Sequence, residues 1–294
     1  MVLMKIAIAG TNGLAQLLAH EIESSSTSQF VFLSRRPVEG LAKKGWQVMV
    51  VDYRDQRALQ FKLAGTDVVL STVCGDAQVA LMEAAAAAKV KRFVPSEFSG
   101  NPSRRPTSDL IDKGHRRAIV RLAGLESTGM RFCTFTCGVF YERFGPGGLA
   151  QVQIAKGSGI DAEGCFLLNV RRCTAKLPPS RGQDGSSVKV SMVSLRDLAR
   201  SIVAALKLKT WLEMEAAATM RGRRFDVQEL SRPSLVSAIS SAQHARDLDK
   251  ELQLHHLLAT SDGWFDFSQP DLNTRIDLQF EPFRSWLQRV WADA

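Results

Sequence analysis

The chain has 294 residues, 45% of them hydrophobic, with 38 Lys and Arg against 30 Asp and Glu for a formal net charge of +8. That composition can bury one large core or two modest ones and excludes an extensively disordered chain. No apolar run approaches the roughly 18 residues of a membrane span and no secretory leader is evident, so no membrane association and a soluble cytoplasmic protein are expected.

The basic residues form no long run and lack interleaved aromatics, which argues against nucleic acid and fits an anionic small ligand with a solvated surface. The five cysteines, Cys74, Cys133, Cys137, Cys165 and Cys173, are odd in number and scattered. With no CxxC pair among them, reduced thiols and no metal site are expected.

In chain order, strands are expected at 5–9, 30–34, 47–52, 68–72, 92–95 and 131–136, and helices at 14–23, 57–63, 77–88 and 111–126. Strands apolar on both faces, each followed by a crossover helix, predict an α/β fold with a doubly wound parallel sheet, the NAD(P)-binding Rossmann arrangement. Ligands of such sheets sit beyond the carboxyl ends of the strands. After Gly138 the alternation weakens: 145–148 (GPGG) and 177–187 read as loops. A further strand at 188–193 and a helix at 194–206, with Ser194 as cap and Asp197 three residues on, suggest a return to the sheet. The expected organisation is a dinucleotide-binding domain over 1–138 and a smaller, interleaved, mainly substrate-binding region over 139–294, with 188–206 rejoining the first sheet.

Residues 4–16 read MKIAIAGTNGLAQ, a buried strand, a glycine turn and a helix start. Such a turn brings backbone N–H groups to a pyrophosphate, with the helix N-terminus adding to the attraction. Gly10 supplies the tight turn and Gly13 the close approach, Thr11, Asn12 and Leu14 flank them, and Gln16 stands where a third glycine is usual. The second strand ends in Ser34, Arg35, Arg36 and Pro37, without an acid to meet a ribose 2′-OH. Guanidinium groups there select a 2′-phosphate, so NADPH is the expected cofactor, with Lys44 adding to the same pocket. Asp52 at the third strand's end, and Ser71, Thr72 and Val73 at the fourth's, are expected to line the rest of the cofactor.

After the fifth strand, 95–98 read PSEF, which resembles the PSEFG signature of isoflavone-reductase-like and NmrA-like proteins, an atypical branch of the short-chain dehydrogenases. IAIAGTNGLAQ is similar to the GTGGLAR turn of fungal-type members, and TCGVFYERFGP (136–146) to their GxF segment. VSMVSLRDLARSIVAAL (190–206) and FEPFRSWLQRVW (280–291) resemble later segments of the family, so the likeness spans nearly the whole chain. In fungal-type members a large polar residue is frequent at the third turn position, which implies that Gln16 is compatible with cofactor binding.

The resemblance implies a reductase of a small aromatic, conjugated or polyketide-like metabolite, an enone, carbonyl or quinone-methide-like compound. The only tyrosines, Tyr53 and Tyr141, do not stand in a YxxxK frame, so a tyrosine acid is not expected. The family instead implies a lysine on the helix after PSEF, here Lys113, as proton donor or acceptor and cofactor neighbour while hydride leaves the nicotinamide. Substrate contacts are expected from Phe98, which also meets the cofactor, and from Arg117, Val139, Phe140, Tyr141 and Phe144. His115 is expected at the surface, and His244, His255 and His256 in structural roles. An NmrA-like regulator that senses NAD(P) without turnover, and a redox-neutral rearrangement or cyclisation, are the alternatives on the same fold; a homodimer is compatible with all of them.

Overall fold

The computed structural model describes residues 3–25, 27–106, 109–112, 114–179, 188–208, 214–215, 226–267 and 272–292. The chain forms two compact, interleaved units. The first comprises Met1–Phe98, Lys113–Phe135 and Ala199–Met214, the second Ser99–Asp112, Thr136–Leu198 and Glu215–Ala294.

The first unit alternates strands and helices as the apolar runs predict: β1 (Lys5–Ala9), α1 (Gly13–Ser25), β2 (Gln29–Ser34), α2 (Glu39–Ala42), β3 (Val48–Val50), α3 (Gln56–Leu63), β4 (Val68–Ser71), α4 (Asp76–Ala87), β5 (Arg92–Val94) and β6 (Arg131–Phe132). The strands make one parallel sheet in the order β3-β2-β1-β4-β5-β6, with Ile6 opposite Phe30 on one side and Val68 on the other. The order therefore reverses between β1 and β4, where a doubly wound sheet opens a crevice at its carboxyl edge. Ala7, Leu33, Leu59, Leu81, Met82, Phe93 and Leu122 are among the buried side chains of one core. Ala84, Ala85 and Ala86 belong to it too, so the alanine run is a buried helix face as well as a good helix former.

Two expected elements divide. Residues 131–136 give β6 and a separate strand, Phe135–Thr136, and 111–126 give Asp109–Asp112 and His115–Leu125. At the second break Gly114 caps the new helix with φ +82°, a left-handed conformation that ends one helix and redirects the chain into the next.

In the second unit Thr174–Leu177 lies between Asp226–Glu229, parallel to it, and Leu168–Asn169, antiparallel. The strand expected at 188–193 narrows to Met192–Val193 and pairs with Val139–Phe140, so it does not join the six-stranded sheet. The helix after it, Leu195–Ala205, begins with the expected cap: Asp197 N donates to Ser194 Oγ at 3.0 Å. The first unit takes up the chain again at Lys113–Phe135 and at Ala199, within this helix. Helices Arg232–His244, Leu248–Ser261 and Phe283–Val290 enclose a core rich in aromatics, including Tyr141, Phe144, Phe166, Trp264, Phe265, Phe283 and Trp286.

Candidate functional site

The carboxyl edge of the first unit's sheet gathers most of the expected cofactor residues. The turn after β1 is tied on two sides: Gly10 N donates to Leu33 O at 3.0 Å in β2, and Thr72 donates to Ala9 O through its N (2.8 Å) and its Oγ1 (2.8 Å). Gly10 has φ +99°, and a Cβ there would stand 2.3 Å from Thr72 Oγ1. The turn can thus lie against the β4 exit only because it carries no side chain. Asn12 Oδ1 accepts from Ala15 N at 3.0 Å and caps α1, whose first turn holds no acid. The remaining first-turn N–H groups of a helix have no intrahelical partner and favour an anion. Leu14 is buried, so what it offers this edge is its backbone.

Ser71 and Thr72 use their hydroxyls within the scaffold: Ser71 Oγ donates to Val73 O at 3.1 Å and Thr72 Oγ1 to Ala9 O. Val73 is half-buried against the core. Asp52 Oδ1 accepts from Arg54 N at 2.9 Å in the turn after β3. Burial raises the Tyr53 phenol to about 12 against the opposing pull of the Arg35 charge, which puts that guanidinium's field at the neighbouring strand end. Arg36 N donates to Ser34 Oγ at 3.3 Å, fixing the basic pair as β2 ends.

Sequence reasoning missed the connections of Gln16. Its Nε2 donates to Thr11 O at 3.1 Å, and its Oε1 accepts from Lys44 Nζ at 3.0 Å. Lys44 also lies over the Trp46 ring, 4.9 Å from its centroid, and that ring packs against Phe30 and Phe32. The identity of Gln16 was visible; its partner, 28 residues on, was not.

Beyond β5, Gln78 Oε1 accepts from Ser96 N at 2.6 Å, and Phe98 is buried. Glu97, 2% exposed, pairs through Oε1 with His115 Nδ1. This corrects the expectation of a surface histidine, and the reason is the break at Gly114, which starts a new helix at His115. An unbroken 111–126 helix gave no hint of it. Lys113 lies outside the described residues. Arg117 is exposed and pairs with the still more exposed Asp76 at the start of α4. Among the described residues the buried donors Tyr53 OH and Gln78 Nε2 find no hydrogen-bond partner.

In the second unit Val139 and Phe140 are buried in their short strand. Tyr141 and Phe144 lie in the aromatic core. Tyr141 packs edge-on to Phe283 (4.8 Å between centroids) and donates from its OH to Glu281 O at 3.2 Å, while Phe144 packs edge-on to the same ring at 5.4 Å. Among the described residues no group of His, Cys, Asp and Glu could hold a metal. His256 stacks on Trp264, His255 lies 3.7 Å from Glu251, and His244 Nδ1 is 2.7 Å from Ser240 O. A cavity of about 590 Å³ is lined by Arg104, Arg105, Arg232, His255 and Asp262, among others. Arg232 pairs with Asp262, Arg104 donates to Gly263 O, and Arg105 lies over Trp264 and 3.7 Å from Asp112. It contains none of the expected site residues.

Glu142 marks a pH-sensitive point of the second unit. Its carboxylate accepts from Leu195 N at 3.0 and 3.1 Å, and desolvation, with the charges of Asp197 and Glu281, raises it from 4.5 to about 7. Below pH 4.5 the group is protonated folded and unfolded and has no effect. Between about 4.5 and 7 only the unfolded chain ionises, so stability falls as pH rises, by roughly 3 kcal/mol in all. Glu142→Gln is expected to remove most of this fall. Urea unfolding of both proteins at pH 5 and pH 8 checks it, and equal losses in the two would show that Glu142 is not the source.

The NmrA-like family model matches residues 32–241. Oxidoreductase BOA1 of Botryotinia fuckeliana (strain B05.10) is 26% identical over 220 residues, 71% of this chain and 68% of the relative. Among solved structures, AtPrR2 with NADP+ and (+)pinoresinol superposes with a TM-score of 0.72 at 15% identity, covering 99% of each chain. The triphenylmethane reductase of Citrobacter sp. complexed with NADP(H) gives 0.68 at 16% identity over 97% of this chain and 99% of the other. The leucoanthocyanidin reductase–NADPH complex of Vitis vinifera gives 0.68 at 18% over 97% and 98%. At these identities the structural likeness establishes the fold. No helix among the described residues is long and apolar enough to cross a membrane.

Proposed function

The chain belongs to the NmrA-like family, and from that premise we propose that it is an NADPH-dependent reductase of a small aromatic or conjugated metabolite, an enone, a carbonyl or a quinone-methide-like compound. The observation that carries the reading is the basic set beside the glycine turn: Arg35 and Arg36 directly after β2, and Lys44 bonded to Gln16 of α1. A doubly wound sheet that reads a free ribose 2′-OH ends its second strand in an acid, and none stands here. The carboxyl edge suits a dinucleotide: a glycine turn at position 10 that packs closely on the β4 exit and a capped helix start without acids. The relatives, an oxidoreductase and NADP(H)-bound reductases, support the same reading.

In this reading NADPH supplies the hydride. The backbone at Gly10–Leu14 holds the pyrophosphate, and Arg35, Arg36 and Lys44 hold the 2′-phosphate. Asp52 and the segment Ser71–Val73 border the adenosine and ribose side. Lys113, from the family resemblance, donates or accepts the proton at the substrate oxygen, and Phe98 offers apolar surface beside the reacting ring. Arg117 is a candidate contact for an anionic or phenolic group.

Calorimetric titration is expected to show NADPH binding at least about tenfold tighter than NADH, about 1.4 kcal/mol. Equal affinities would overturn the cofactor assignment. NADPH oxidation should require an added aromatic enone or quinone. Tight NADPH binding without turnover of any such compound would instead favour the cofactor-sensing regulator.

A further inference from the structure

We propose that Gln16, at the place of the usual third glycine, is a positioning residue that holds Lys44 for the cofactor's 2′-phosphate and so sets the preference for a phosphorylated dinucleotide. The inference rests on the NADPH reading above and deepens it. A glycine at this point of a dinucleotide turn serves close packing of helix on strand. Gln16 instead joins two segments that a ligand phosphate must approach together. Its amide donates to Thr11 O inside the glycine turn and accepts from Lys44 Nζ in the segment between β2 and β3.

Lysine is a poor phosphate ligand when its stem is free, because fixing four rotatable bonds opposes the contact. Here the ammonium is held by two contacts. Trp46, buried and braced by Phe30 and Phe32, lies beneath the ammonium at 4.9 Å, and Gln16 Oε1 takes one of its three N–H groups at 3.0 Å. The side of the ammonium away from Gln16 and the ring can turn to phosphate oxygens. On the other flank, the turn is bonded to β2 through Gly10 N and Leu33 O, two residues before Arg35. Gln16 thereby keeps Lys44 in register with both the pyrophosphate turn and the arginine pair.

The test is equilibrium titration of the wild-type chain, Gln16→Ala, Lys44→Ala and the double variant with NADPH, NADH, 2′,5′-ADP and 5′-AMP, alongside thermal unfolding of each protein. Gln16→Ala is expected to weaken NADPH and 2′,5′-ADP about fivefold and to leave NADH and 5′-AMP within twofold. Lys44→Ala should weaken the phosphorylated ligands about tenfold, and the double variant should be no weaker than Lys44→Ala alone, since Gln16 acts through that ammonium. A purely structural role in the turn would weaken all four ligands alike, and that result overturns the proposal, as does an additive double variant. A wild-type chain that binds NADPH and NADH equally would overturn the cofactor reading itself. A wild-type preference unchanged in Gln16→Ala would overturn the positioning role alone.

Discussion

Gly138→Ala is expected to lower the stability of the second unit by about 4 kcal/mol and its thermal midpoint by roughly 10 °C. Gly138 has φ +75°, where a side chain is strained in any case, and its Cβ would stand 2.1 Å from Ser191 O and 2.7 Å from Ser191 C. Backbone atoms cannot rotate aside as a side-chain terminus can. Ser191 is held on three sides besides: its N donates to Phe265 O at 2.7 Å, its O accepts from Val139 N at 2.9 Å, and its Oγ accepts from Phe267 N at 3.1 Å. Relief of the overlap would break the pairing of Val139–Phe140 with Met192–Val193, and with it the seat of Tyr141 in the aromatic core. Thermal unfolding of the variant decides the matter: a midpoint within 2 °C of wild type would show that this strand pair tolerates the displacement.

Gly10→Ala combines a similar strain with loss of binding. At φ +99° the new methyl would lie 2.3 Å from Thr72 Oγ1 and 3.3 Å from Val73 Cγ1. The first obstacle is a side-chain hydroxyl, yet that hydroxyl donates to Ala9 O, so turning it away forfeits a hydrogen bond that anchors the turn. The expected cost is about 3 kcal/mol of stability, and because the N–H groups of the turn are displaced, NADPH should bind roughly a hundredfold more weakly, about 2.7 kcal/mol. Adding Thr72→Ala removes the nearest obstacle but not the backbone strain. The double variant should therefore recover part of the stability and little of the binding. Undiminished NADPH affinity in Gly10→Ala would separate the cofactor from this turn.

The alternation of apolar strands and helices, with the glycine turn after the first, was enough to read the doubly wound sheet of the first unit from sequence. Such patterns are local, and strands buried on both faces admit few alternatives. That Arg35 and Arg36 directly follow β2 was equally legible, because it depends only on where that strand ends. The same holds for Ser194, whose cap to Asp197 spans three residues.

Where two distant segments meet was decided only in the tertiary structure. Tyr141 and Phe144 look alike to Phe98 in sequence as apolar rings after a strand, but Phe283 and Trp286, some 140 residues later, draw them into a core. Gly114 hides a helix break inside a helical pattern, since one glycine costs a helix only about 1 kcal/mol and its left-handed φ emerges from packing. That break brings His115 to Glu97. Gln16 is the sharpest case: alone it reads as a missing glycine, and only the fold gives it Thr11 and Lys44 as partners. Chain-local propensity and pattern determined the elements and the kind of ligand edge, whereas side-chain partners across tens of residues followed from how the elements pack.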